Sequence, residues 1–301
     1  MIILDDVLDR LAGTWRLRDL RLVGAGLEFS VYRAQQEDGR QVVLRLAPQR
    51  FDSNVNDPVV DNRALLTQEF RLARHLHAYG FPVAEPLRLH LADVPDEPDV
   101  LISRYVEDDG GQLDNAALGR LLATLHGLPR PGFLPAATGS GGAHAILARL
   151  PRRWEEIGGL VPEWPAAPER SVLADRLAML SGHSLIHLDV RGCNLRRRQG
   201  QVLALLDWSN ALIADPVVEF ARLIEYARYS ENEVNVAALR AGYMTVREAP
   251  PLDAPAMLAC RLDTAVMLAL VFLCEAPDPK RATRAAEHAR ELAERVVAQR
   301  F

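Results

Sequence analysis

The apolar pattern of this 301-residue chain changes character once, at Glu107-Asp108-Asp109-Gly110-Gly111, and that change limits the folds open to it. Before it come short β-prone runs separated by turns. Residues 20–23 lead into Gly24-Ala25-Gly26, a run over 30–34 follows, and Asp38-Gly39 joins it to 41–46 as a hairpin signal. Leu65, Leu66, Leu72, Ala73 and Leu76 recur at helical spacing, so 62–76 reads as a helix, stopped by Gly80 and Pro82. Further strands are predicted over 86–91 and 100–105. After the boundary helical spacing dominates. Asp114 is placed to cap the helix carrying Leu118, Leu121, Leu122 and Leu125. A loop over 132–142 precedes helices over 143–154 and 171–180, and short buried strands are read at 185–186 and 202–206. The tail from 217 is helical, with breaks near Pro250-Pro251 and Pro277-Asp278-Pro279. The expectation is an α+β chain. Residues 1–103 carry a small antiparallel sheet with one helix, 104–111 are a linker, and 112–301 form a larger, mostly helical region.

The net charge is −5, against the basic face that a nucleic-acid partner requires. Cys193, Cys260 and Cys274 show neither CxxC pairing nor metal-like spacing with His, a usage that fits a reducing cytosol. Asp5 and Asp6 stand where a secretion signal carries basic residues. The most apolar stretch, 265–274, is too short to span a bilayer and reads as a buried helix. A cytoplasmic chain without nucleic-acid or membrane partners is expected, as a monomer or a homodimer.

The sharpest chemical feature is His187-Leu188-Asp189-Val190-Arg191-Gly192-Cys193-Asn194, an H-x-D-x-x-x-x-N spacing, followed after a short hairpin by Leu205-Leu206-Asp207-Trp208. Read singly, His187 is a core histidine and Asp189 a turn cap. Read together, two carboxylates and an amide oxygen make a set suited to phosphoryl transfer. Mg²⁺ needs hard oxygen ligands, which Asn194 and Asp207 supply. A carboxylate must orient the acceptor hydroxyl and take its proton, which suits Asp189, with His187 buttressing the loop. Arg191 fits either a contact to the transferred phosphate or a brace for the loop.

These residues resemble the catalytic and metal loops of the aminoglycoside phosphotransferase-like kinases, a family that includes antibiotic, choline, homoserine and methylthioribose kinases. The resemblance extends to Gly119-Arg120-Leu121-Leu122-Ala123-Thr124-Leu125-His126 and to Asp215-Pro216-(2)-Glu219, and covers roughly 15–230. It implies a two-lobed, protein-kinase-like fold and a kinase that uses ATP or GTP with Mg²⁺ to phosphorylate a small-molecule hydroxyl. Carried over position by position, Asp189 is the catalytic aspartate, and Asn194 and Asp207 are the metal ligands. Ser103, Arg104, Tyr105 and Val106 face the adenine, and Gly24, Gly26 and Ser30 lie over the phosphates, where glycine permits close backbone approach. Where the family has a phosphate-binding lysine this chain has Arg45, with Glu69 on the next helix as its natural partner. Lys280 is the only lysine in the chain, so arginine in that role fits its cation usage. Arginine and lysine are not interchangeable, and a nucleotide-binding protein without phosphoryl transfer is the alternative that Arg45 leaves open.

Between Asp207 and Asp215-Pro216 there is no room for the activation segment of protein kinases, so a small acceptor is expected. Asp215, Glu219, Glu225, Glu231 and Glu233 give the acceptor region negative charge. That fits a cationic acceptor such as an aminoglycoside, another amino sugar or an amino alcohol. It equally fits a solvated acidic helix face.

Overall fold

The protein is described by a computed structural model covering residues 4–26, 28–94, 97–133, 142–180 and 182–298. Most of the loop expected over 132–142 lies outside the described residues. The chain divides into two compact units. One comprises Met1–Ser53, Val59–Gly111 and Arg196–Ser209, and the other Asn54–Pro58, Gln112–Leu195 and Asn210–Phe301.

The first unit is built on a five-stranded antiparallel sheet. Its strands are β1 (Leu17–Ala25), β2 (Ser30–Gln36), β3 (Gln41–Ala47), β6 (Pro86–His90) and β7 (Asp99–Arg104), in the order β1-β2-β3-β7-β6. Gly39 adopts φ +83° in the β2–β3 turn, a left-handed conformation that glycine takes without strain, and this sets the hairpin register. Val42, Leu44, Leu46, Val100 and Ile102 point to one face of the sheet and bury there. A helix the strand-and-turn reading does not include, α1 (Leu4–Trp15), covers that face with Leu8, Leu11, Ala12 and Trp15. Their i, i+3, i+4, i+7 spacing is the signal of one apolar helical stripe. The other face packs Phe29, Ala47 and Leu101 against Leu65, Leu66 and Phe70 of α2 (Asn62–Ala78), whose first turn is capped by Asp61. A short ribbon, β4 (Phe51–Asp52) and β5 (Val60–Asp61), precedes α2. The hairpin of β9 (Leu195–Arg198) and β10 (Gln201–Leu205) belongs largely to this unit. Leu205 donates its N–H to Pro82 O at 3.0 Å, and Asp109 donates to Arg197 O at 3.1 Å.

The second unit is mostly helical. Asp114 caps α3 (Asn115–Gly127) by accepting from the Ala117 N–H at 2.9 Å. There follow α4 (Gly142–Leu160), α5 (Arg170–Leu177), α6 (Pro216–Tyr226), α7 (Val236–Met244), α8 (Pro255–Leu270) and α9 (Pro279–Ala298). The helix expected over 171–180 ends early, at Leu177. The strand expected at 185–186 is β8 (Ser184–Ile186), and its antiparallel partner is β11 (Leu212–Ala214), immediately before α6. The apolar segment is longer than the ten residues read from sequence. Pro255–Glu275 has a mean hydropathy of 2.0 over its most apolar window, and is long and apolar enough to cross a membrane by length and composition. Of that window 78% is buried inside the protein, where α8 packs against α4, α6 and α9.

Candidate active site

In the first unit the sheet and α2 bring three sequence-distant groups together. The Arg45 guanidinium on β3 lies 2.9 Å from Glu69 on α2 and 2.9 Å from Asp207 after β10. Its planar fork reaches two carboxylates at once, which an ammonium on a flexible stem cannot do with the same geometry. The Phe29 ring lies 4.2 Å beneath the same guanidinium. Burial works against the charge on Arg45, but Asp207 and Glu69 outweigh it and hold its pKa above the ordinary range. Burial pushes the Glu69 carboxyl up to about 7, with Arg45 pulling the other way. A third acid, Glu28 in the turn between β1 and β2, is raised by burial and by Asp207. The sequence signal for Glu28 was only its place in the glycine turn.

Asp207 sits at φ +64°, in the left-handed region where a non-glycine residue is strained. Its surroundings hold it there. Ser209 Oγ donates to Asp207 Oδ1 at 2.7 Å, and Gln68 Nε2 donates to the Trp208 and Ser209 carbonyls at 2.8 and 3.0 Å. Gln68, which lay off the apolar stripe of α2, is therefore buried for a purpose. Gly24 is the penultimate residue of β1 and Ser30 opens β2, with the turn closed by the Gly26 N–H on Phe29 O at 2.8 Å. Neither glycine has positive φ. Ser103 lies in β7 opposite Val43, while Arg104, Tyr105 and Val106 line a cleft of about 520 Å³ with Arg33, Gln41 and Leu203.

In the second unit, β8 delivers His187 and Asp189 into a buried polar network. Leu188 is at φ +63°, a second strained position, and Glu219 on α6 compensates it. That carboxylate accepts from the His187 N–H at 2.6 Å and the Leu188 N–H at 2.9 Å. Burial raises the pKa of Glu219, but His126, His187 and this backbone hydrogen bonding outweigh it and hold it below the ordinary range. His187 Nδ1 accepts from the Asp189 N–H at 3.1 Å. The Asp189 carboxylate is held at both oxygens. Asn194 Nδ2 donates to Oδ2 at 2.6 Å, the Tyr226 hydroxyl donates to Oδ1 at 2.7 Å, and Arg191 Nε lies 3.1 Å from Oδ1. Tyr226 carried no sequence signal, since it lies 37 residues away and only the path of α6 brings it back.

With its amide nitrogen committed to Asp189, Asn194 has its carbonyl oxygen left as a hard donor, met by the Cys193 thiol only at 3.7 Å. Among the described residues no three His, Cys, Asp or Glu side chains form a metal-holding group. Mg²⁺ is commonly bound through one or two side chains plus phosphates and water rather than in an all-protein cage.

Comparison with known families decides the wider assignment: the model of the phosphotransferase enzyme family, APH, matches residues 19–259. The chain belongs to the phosphotransferase enzyme family. It is a phosphotransferase that acts on a hydroxyl group, and no curated protein matches it in sequence. Among solved structures, this phosphotransferase is similar to a thermostable mutant of aminoglycoside phosphotransferase APH(4)-Ia in ternary complex with ADP and hygromycin B. The TM-score is 0.67 at 16% identity, covering 97% of this chain and 99% of that one. It is also similar to a macrolide 2'-phosphotransferase of type I, at TM-score 0.58 and 16% identity over 95% and 96% of the two chains. An aminoglycoside-3'-phosphotransferase of type VIII gives TM-score 0.58 and 19% identity over 86% and 97%. At these identities the likeness shows the fold, the α+β protein-kinase-like fold with a small antiparallel sheet and a larger helical region.

The acids expected to give this phosphotransferase an acidic acceptor region are largely committed elsewhere. Glu219 holds the Asp189 loop, Asp215 caps α6, and Glu225 is buried between Arg261 and His288 at 2.7 and 2.8 Å. Glu231 pairs with Arg281. Glu233 lies over Gly192, where any Cβ would come within 2.3 Å of its carboxylate. Glu233 is thus the acid of the five that lies against the glycine of the Asp189 loop.

Proposed function

We propose that this protein transfers the γ-phosphoryl group of ATP, bound with Mg²⁺, to a hydroxyl of a small molecule. Residues 1–103 would handle the nucleotide, 104–111 serve as the hinge, and 112–301 carry the catalytic loop and the acceptor. The observation that carries the reading is the buried Asp189 carboxylate, held at one oxygen by Asn194 and at the other by Tyr226 on a loop whose backbone Glu219 and His187 fix. An oriented carboxylate is what alignment of an acceptor hydroxyl and removal of its proton require. Asn194 and Asp207 would hold the Mg²⁺. Once bound, that ion would neutralise charge on the transferring phosphates. Arg45 would provide the fixed cation for the phosphates, on the same side chain that Glu69 and Asp207 already orient. The APH(4)-Ia relative was solved with ADP and hygromycin B, which supports a nucleotide and a hydroxyl-rich acceptor here as well. An amino sugar or amino alcohol is the acceptor class we favour.

The test is a coupled nucleotide-turnover assay over a panel of amino and neutral sugars and alcohols. Turnover is expected with at least one amine-bearing acceptor. Asp189→Asn should lower kcat by about 10²–10⁴-fold, the usual contribution of a positioned acid or base. The stabilisation by Mg²⁺-ATP in a melting experiment should survive that change. Nucleotide binding without turnover of any acceptor in the unmutated protein would instead support a non-catalytic nucleotide binder.

A further inference from the structure

Resting on the reading of Asp189 as the acceptor-orienting carboxylate, we propose that Tyr226 is a positioning residue for that carboxylate, and that the acceptor hydroxyl takes the place of Arg191 on the same oxygen. Three groups surround the carboxylate, and they differ in how firmly they are held. Asn194 grips Oδ2 at 2.6 Å and the Asp189 backbone carbonyl at 2.9 Å. Tyr226 grips Oδ1 at 2.7 Å from a side chain that is 6% exposed. Its ring ends α6, its backbone carbonyl accepts from Asn232 Nδ2 at 2.9 Å, and its hydroxyl has Arg222 Nη1 at 3.5 Å behind it. Burial and the neighbouring Asp189 charge hold the phenol above its usual pKa, so it remains an O–H that donates. Arg191 is different. Its side chain is 43% exposed, and its Nε lies 3.1 Å from Oδ1 without the alignment of a hydrogen bond. A carboxylate oxygen offers two acceptor directions. With the phenol fixed on one of them, the poorly aligned guanidinium, on a side chain that is 43% exposed, is the partner that an incoming hydroxyl displaces.

The assignment explains why a tyrosine is spent in the core of α6 with its polar end in the catalytic loop. A buried phenol needs a partner, and this one's partner is the carboxylate whose plane decides the angle of attack. Removing the hydroxyl leaves Oδ1 with the poorly aligned Arg191 contact in place of an aligned hydrogen bond, and leaves the ring packing in place.

The experiment compares steady-state kinetics of the unmutated protein and Tyr226→Phe, with the melting temperature of each and a crystal structure of the variant. Tyr226→Phe is expected to lower kcat about 10- to 100-fold, as loss of an orienting partner does, while KM for nucleotide and acceptor and the melting temperature stay near their original values. The Asp189 carboxylate is expected to rotate in the variant crystal. An unchanged kcat overturns the proposal. A fall in acceptor KM at constant kcat also overturns it, because the phenol would then be a competitor of the acceptor. If the unmutated protein phosphorylates no acceptor, the proposed function fails by itself. Positioning is then judged from the crystal, and an unmoved Asp189 carboxylate sinks it.

Discussion

Arg45 shows what a single residue can settle. Its side chain is 14% exposed, and two carboxylates from elements far apart in sequence close on it. Removing one partner of a largely buried pair leaves the other charge uncompensated, which costs about 3–5 kcal/mol where burial is complete. Arg45→Ala should therefore lose about 3 kcal/mol in urea unfolding, together with the stabilisation by Mg²⁺-ATP. Arg45→Lys should lose less. It keeps the charge, but one ammonium cannot span Glu69 and Asp207 with the geometry of the fork. A stability unchanged in Arg45→Ala would mean that the cluster is held by solvent rather than by the guanidinium.

Among the elements, α3 and α7 approach closely through two glycines. A Cβ on Gly119 would sit 1.9 Å from the Leu239 carbonyl oxygen, and one on Gly242 would sit 2.0 Å from that of Ala116. The two glycines face the partner helix reciprocally, so neither helix can take a methyl without moving the other. Gly119→Ala gains helix propensity but forces backbone apart. Overpacking of this kind costs about 1–3 kcal/mol, more than the propensity gain of about 1 kcal/mol. A lower urea midpoint at unchanged m is expected, and a stabilised variant would show that α3 and α7 do not pack this closely. The Gly119-Arg120-Leu121 motif was legible in the sequence, but the reason for its glycine was not, because Leu239 is 120 residues away.

For the molecule as a whole, the buried carboxyls respond to pH in two opposite directions. In the helical unit, burial raises the carboxyls of Asp263, Glu225 and Glu219. Arg149 at Asp263, His288 and Arg261 at Glu225, and His126 at Glu219 outweigh it and hold them below the ordinary range. A lowered carboxyl contributes stability that is present above its unfolded pKa of about 4 and is lost as pH falls through the folded value. In the sheet unit, burial raises Glu69 to about 7, so its contribution is present below about 4.5 and is lost as pH rises toward 7. Urea midpoints measured across this range should fall below pH 4 and decline gently from about 5 to 7. Glu225→Gln should flatten the acid limb alone. An acid limb unchanged by Glu225→Gln would remove the Arg261–Glu225–His288 cluster from the account.

Sequence alone determined whatever is settled within a few residues. The Asp38-Gly39 hairpin, the Asp114 cap, the periodicity of α2 and the order of His187, Asp189 and Asn194 are local, because turn chemistry, capping and helical spacing act over one or two turns of chain. It was the resemblance of that loop to the aminoglycoside phosphotransferase-like kinases that named a kinase-like fold. Tertiary structure decided which of these residues meet. It placed Asp207 against Arg45 across 162 positions and Tyr226 against Asp189 across 37, and it turned Glu219 and Glu225 from a supposed acidic surface into buried anchors. A side chain's partner depends on where distant elements pack. That choice belongs to the whole core, so no local pattern in the chain records it.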